Sequence, residues 1–237
     1  MKNQIEVILS PLLLPNFTLE GKVVVVIDIL RATSTISAAI FNGAHSVIPV
    51  VSTEEALGYD RNEFLIAGER EGQKAPGFDF GNSPLEYRSE VVKNREVVLT
   101  TTNGTRCIHA SSDADAADIL VGAFTNASAT NNYLRTCGKD VVLFCSGWKN
   151  RVNLEDTLYA GSVIHALQDV FDVQDDSAEL AHDLYQCAKD NLLSYLKKAS
   201  HPRRFERLGN TTDLPHCLQT DIYNIAIGYR AGKLIRV

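Results

Sequence analysis

The chain has 237 residues, 45% of them hydrophobic and 22% charged, with a formal net charge of −6. That balance suits a globular protein with one substantial core and argues against disorder. Acids and bases are interspersed, so the basic, clustered footprint of a nucleic-acid partner is missing.

The amino terminus, MKNQIEVILSPLLLPNF, has a short apolar run broken by Pro11 and Pro15, and with Lys2 alone it makes a poor signal peptide. No stretch approaches the roughly 20 apolar residues needed to cross a bilayer, so a soluble, cytoplasmic protein with no membrane partner is expected. The first clear element, KVVVVIDIL (22–30), reads as a strand buried on both faces. Asp28 closes it, and Arg31, Thr33, Ser34 and Thr35 lead into a helix over 33–43. A carboxylate ending an apolar run is costly unless paired or metal-bound. Arg31 and the hydroxyls offer donors for a phosphate or sulfonate. An Asp–Arg ion pair beside a Ser/Thr cap accounts for the same residues equally well.

A strand SVIPVV (46–51), a helix over 53–59 and a strand EFLIAG (63–68) follow. The last runs into Glu69 and Arg70, a metal ligand and an anion clamp, or a surface ion pair. The glycine-rich, charged stretch to Asn82 reads as a long loop, and such loops are often functional. Ser83 then caps a short helix begun by Pro84. The strand EVVLTT (96–101) enters a helix over 104–111 through Thr101, Thr102, Asn103, Gly104 and Thr105. That polar turn is rich in donors, and its glycine permits close approach of an anion; a plain solvated turn is the alternative.

A strand DILVGA (118–123), a helix over 125–137 and a strand DVVLFCS (140–146) come next. Cys145 ends that strand, Gly147 follows, and Arg151 lies six positions on, the spacing of a cysteine-dependent phosphatase loop. A strand-end cysteine is usually an inert core residue. Glu155 and Asp156 open a helix over 155–170, either as magnesium ligands or as ordinary first-turn acids. From about 175 to 221 the pattern is helical, including a stretch after His201-Pro202, and the closing IYNIAIGYRAGKLIRV reads as a strand or hairpin. Strands alternating with helices predict a single-domain, three-layer α/β/α fold with a mostly parallel or mixed sheet and a helical C-terminal region. The five scattered cysteines suit reduced thiols, and the six histidines show no ligand spacing.

The strings VVVVIDILRATSTI, IAGEREG, GFDFGNSPLEY, VVLTTTNGTR, GAFTNASA and CSGWKNRVNLEDTLYAG, in this order, resemble the 2-phosphosulfolactate phosphatases from about residue 20 to 165. The resemblance implies an α/β fold and Mg²⁺-dependent hydrolysis of 2-phospho-3-sulfolactate to 3-sulfolactate and phosphate, a step on the phosphoenolpyruvate-dependent route to coenzyme M. On this reading Mg²⁺ is held by Asp28 with Glu69 and either Glu155 or Asp156. Arg31, the Thr101–Thr105 turn and Gly147 bind the phosphoryl oxygens, while Arg70, Asn82, Ser83 and Arg151 read the carboxylate and sulfonate. Attack by a metal-activated water, by Asp28 or by Cys145 all stay open. So do another phosphorylated hydroxy acid as substrate and a non-catalytic binder of anionic acids. The sequence does not specify an oligomeric state; a symmetric homodimer is the commonest outcome for such enzymes.

Overall fold

The computed structural model describes residues 2–199 and 211–237. The best strand of the sequence forms as expected: β2 spans Val23–Ile27 and is buried throughout. Its period-two alternation divides the interior. Val23, Val25 and Ile27 join one core, and Val24 and Val26 join another on the opposite face.

The chain begins with β1 (Asn3–Ile8), a strand where only an interrupted apolar run was expected. After β2 come α1 (Ala32–Phe41), β3 (Ser46–Val50), α2 (Thr53–Leu57) and β4 (Phe64–Arg70). A two-residue β5 (Gln73–Lys74), a short α3 (Ser89–Val92), β6 (Glu96–Thr100) and α4 (Gly104–Asp113) follow. Then come β7 (Asp118–Gly122), α5 (Ala127–Thr136), β8 (Val141–Cys145) and α6 (Leu154–Leu167). The last part holds β9 (Phe171–Val173), α7 (Asp176–Ala188), α8 (Leu192–Leu196), α9 (Asp213–Cys217), β10 (Ile227–Arg230) and β11 (Lys233–Arg236).

These strands make one 11-stranded sheet in the order β5-β4-β6-β3-β11-β10-β7-β2-β8-β1-β9. β2 pairs parallel with β7 and β8, β1 with β8 and β9, and β6 with β3 and β4. The β10–β11 hairpin is antiparallel and joins β7 to β3. The sheet is therefore mixed, with helices on both faces. α1 and α4 cover one face through Ile36, Ala39, Cys107 and Ile108, and α5, α6 and α7 cover the other through Leu134, Leu158, Val163, Ala178 and Ala181. A smaller core of Ile48, Val50, Ile66 and Val98 sits under Ala56 of α2.

The C-terminal region is helical as expected, but it is no appendage. Ile227 and Leu234 are wholly buried, so the closing hairpin bridges the two halves of the sheet. The helical stretch expected after His201-Pro202 lies, over residues 201–210, outside the described residues. Among the described residues no helix is long and apolar enough to cross a membrane.

Candidate active site

Open α/β sheets collect ligands beyond the carboxyl ends of their strands, where the following helices present unpaired N–H groups. β2, β6 and β8 all deliver their polar loops to one such place. β2 and β8 are neighbours, but four strands (β3, β11, β10 and β7) separate β6 from β2. Helix α4 closes that gap by running back across the face, and its first residue packs on the β2 loop. A Cβ added to Gly104 would lie 2.7 Å from Ala32 Cβ and 2.9 Å from Asp28 Oδ2. Only a residue without a side chain lets the start of α4 pack this closely on Asp28 and Ala32.

The turns are built by their own hydroxyls. Thr33 Oγ1 donates to the Asp28 carbonyl at 3.0 Å, Ser34 Oγ to the Ile29 carbonyl at 2.9 Å, and Ala32 N–H donates to Asp28 Oδ1 at 3.3 Å. In the second turn, Thr105 N–H donates to Thr101 Oγ1 at 3.2 Å while Thr105 Oγ1 donates to the Thr101 carbonyl at 3.2 Å. Thr101 and Thr105 are buried and hold the start of α4, and Thr102 and Asn103 are the more open members of the turn. The third loop closes on itself. Trp148 and Arg151 exchange backbone hydrogen bonds, each 3.0 Å, around Lys149 and Asn150, both at positive φ. That is a two-residue hairpin turn, and Ser10 Oγ anchors it by donating to the Asn150 carbonyl at 2.7 Å.

Asp156 ties the first and third loops together. Its Oδ1 accepts from Ile29 N–H at 3.0 Å and its Oδ2 from Gly147 N–H at 2.9 Å. Burial, then the neighbouring Glu155 and Asp28 carboxylates, push its carboxyl well above the usual range. The two backbone donors oppose that rise without overcoming it. Asp28, Glu155 and Asp156 thus form one buried acid group at the strand ends.

Glu69 is placed differently from the expectation that it joins these acids. Its Oε1 accepts from both Thr102 N–H and Thr102 Oγ1 at 2.8 Å, and its Oε2 accepts from Gly72 N–H at 2.7 Å. It staples the β4 exit to the β6 exit. Among the described residues, no group of three or more His, Cys, Asp or Glu side chains is arranged to hold a metal ion.

The arginines separate into held and open ones. Arg31 is buried and ion-paired with Asp213 of α9, with a second donation to the Gly72 carbonyl at 3.1 Å. Asp213 carries no sequence signal for this role; nothing in the five-residue helix DLPHC near the C-terminus points to a partner in the β2 loop. Arg70 donates to the Glu69 carbonyl at 2.8 Å and to Thr100 Oγ1 at 3.0 Å. Arg151 is exposed, its backbone closing the hairpin turn.

Two expectations are corrected. Ser83 makes no capping hydrogen bond to the 3₁₀ turn at Pro84–Glu86; its Oγ is held instead by a charge-assisted donation to Asp213 Oδ1 at 2.6 Å. Cys145 is a core residue of β8 with no exposed surface, and burial holds its thiol well above its ordinary value. An attacking cysteine needs a reachable thiolate, and this one has neither access nor a stabilised charge. Asn82 is buried beside the Arg31 group, its carbonyl accepting from Thr35 Oγ1 at 3.0 Å and its Oδ1 without a hydrogen-bond partner.

A mixed α/β sheet with a buried acid group, a locked arginine and polar helix starts at its strand ends defines an α/β protein built to handle a small anionic ligand. Comparison with known proteins narrows the class. The family model described as 2-phosphosulpholactate phosphatase matches residues 8–232. A probable 2-phosphosulfolactate phosphatase of Caldanaerobacter subterraneus subsp. tengcongensis is 43% identical over 219 residues, covering 90% of each chain. One of Thermotoga petrophila is 41% identical over 88% of this chain and 89% of its own. One of Clostridium perfringens strain SM101 is 36% identical over 98% of this chain and 95% of its own. The chain belongs to the 2-phosphosulfolactate phosphatase family.

Proposed function

We propose that this protein is a phosphatase that hydrolyses 2-phospho-3-sulfolactate to 3-sulfolactate and phosphate with Mg²⁺ as cofactor. The observation that carries the reading is the buried grouping of Asp28, Glu155 and Asp156, where burial and then repulsion from Glu155 and Asp28 raise the Asp156 carboxyl. A bound cation relieves that repulsion. Hard oxygen donors suit Mg²⁺, which is commonly held by one or two carboxylates together with substrate phosphate and water, so a three-ligand protein cage is not required. Asp28 and Glu155 are the residues that would hold the ion, with Asp156 beside them tying the two loops together. When bound, Mg²⁺ would neutralise phosphoryl charge and polarise a phosphoryl oxygen.

The chain's own groups do the rest. Arg31, buried and fixed by Asp213 and the Gly72 carbonyl, brings a guanidinium charge to the phosphoryl oxygens with little orientational freedom left to lose. In the Thr101–Thr105 turn the N–H groups of Thr101, Thr102 and Thr105 are taken by Thr105, Glu69 and Thr101, so those of Asn103 and Gly104, at the start of α4, are the donors that need no reorganisation as charge develops. Asp156 keeps the Ile29 and Gly147 loops in register around them.

The test is phosphate release from 2-phospho-3-sulfolactate and from 2-phospholactate, each with Mg²⁺ and with excess chelator. Metal-dependent turnover that favours the sulfonated ester is expected, with Asp28→Asn reducing it by about 10²-fold or more. Turnover that survives the chelator, or full activity in Asp28→Asn, rejects the scheme.

A further inference from the structure

We propose that a cavity between the start of α4 and the hairpin turn at residues 148–151 is the subsite for the substrate's sulfonate, and that Arg106 is the residue that reads it. The inference rests on the function proposed above. The cavity has a volume of about 110 Å³. Taking roughly 30 Å³ for each water-sized unit, that is room for about three or four such units, which suits one sulfonate on its methylene but not a second substrate.

The lining divides by chemistry. Thr102, Asn103, Arg106 and Asn150 form a polar wall, and Pro11 and Phe144 lie on the apolar side. No carboxylate lines it, although the chain as a whole carries six more negative than positive charges. Arg106 is its one charged residue, and none of the ion pairs among the described residues uses it. A sulfonate is a weakly basic group with three oxygens, suited to a guanidinium fork flanked by amide N–H donors.

Position supports the same assignment. Thr102 and Asn103 belong to the turn whose Gly104 abuts Asp28, so the cavity adjoins the phosphoryl site. In 2-phospho-3-sulfolactate the sulfonate sits on the carbon next to the one bearing the phosphate, so the two groups must occupy adjoining subsites. Two of the four residues expected from sequence to read that end are otherwise engaged: Arg70 with Thr100 and the Glu69 carbonyl, Ser83 with Asp213.

The test compares wild type with Arg106→Gln on 2-phospho-3-sulfolactate and 2-phospholactate under Mg²⁺. Arg106 is exposed, so the variant is expected to fold normally, checked by its thermal midpoint. Loss of one charge-assisted contact should lower kcat/KM for the sulfonated ester about 10–100-fold, mainly through KM. The desulfonated ester should change less than about 3-fold, since it never made that contact. Equal losses on both esters, or none, overturn the subsite; so does a wild type that turns over both esters equally well, although the phosphatase assignment then stands. Should wild type hydrolyse neither ester, the functional reading fails, and calorimetric binding of 3-sulfolactate against lactate decides the subsite. A sulfonate preference lost in Arg106→Gln upholds it, and anything else removes it.

Discussion

The Arg31–Asp213 pair is where fold and site depend on one contact, and Asp213→Ala is the perturbation that isolates it. The side chains are 4% and 1% exposed, so both charges have left water. Removing the acid takes the counter-charge from a buried guanidinium that also donates to the Gly72 carbonyl, and it deprives Ser83 Oγ of its acceptor. Breaking a buried pair in this way costs about 3–5 kcal/mol. At roughly 2–4 °C per kcal/mol for a chain of this size, the thermal midpoint should fall by about 10 °C. Urea denaturation gives the free energy directly, provided the slope is unchanged. The companion is Arg31→Met with Asp213→Leu, which replaces the ions by apolar groups of similar bulk. It should recover most of the stability while leaving turnover low, because the phosphoryl-binding guanidinium is gone. A loss below about 1 kcal/mol in Asp213→Ala, or a double variant as unstable as the single, would refute the account of a desolvated pair that matters through its charge.

Three further outcomes follow from the packing. Gly161 lets α6 lie against α7 so closely that an added Cβ would sit 2.0 Å from the Ala181 carbonyl oxygen; Gly161→Ala should cost about 1–3 kcal/mol in urea denaturation, with turnover of the folded fraction unchanged. Cys107, Cys145 and Cys217 are buried, with burial raising each thiol, to about 12 for Cys107 and Cys217. A thiol reagent followed by mass spectrometry should therefore modify exposed Cys187 first and those three only on unfolding, and Cys145→Ala should keep its turnover. Burial, then Lys189 and His182, hold the His165 imidazole below its ordinary value. Its neutral form thus contributes stability that is present above the unfolded value of about 6.5 and is lost as pH falls through the folded value, so His165→Gln should flatten the urea midpoint between pH 7 and 5.

Much of the sheet was legible because its strands announce themselves. Five consecutive apolar residues ending in Asp28 have no soluble alternative to a doubly covered strand, and β3, β6, β7 and β8 repeat the pattern. β1 was less legible because its register comes from β8, a partner more than 130 residues away, while the prolines beyond it end the strand without marking where it begins. The order of strands was out of reach for the same reason. A C-terminal hairpin filling the gap between β7 and β3 is a decision made by the empty edges of a sheet already built.

The site shows a sharper division. That polar residues would gather at strand ends follows from where helix starts leave N–H groups unpaired, and Asp28, Gly104, Glu155 and Asp156 do meet there. What each acid does there cannot be read from its neighbours in sequence. Glu69 and Asp156 are both acids near strand ends, yet one is consumed by Thr102 and Gly72 and the other by Ile29 and Gly147, and only Asp156 sits against further carboxylates. An acid takes the role of staple or of charge centre according to which backbone donors the loops happen to aim at it. Those directions are set by turns such as Trp148–Arg151 and by partners as remote as Asp213, whose bond to Arg31 spans 182 positions. The residues of a site are therefore recoverable from pattern, while their division of labour belongs to the loops.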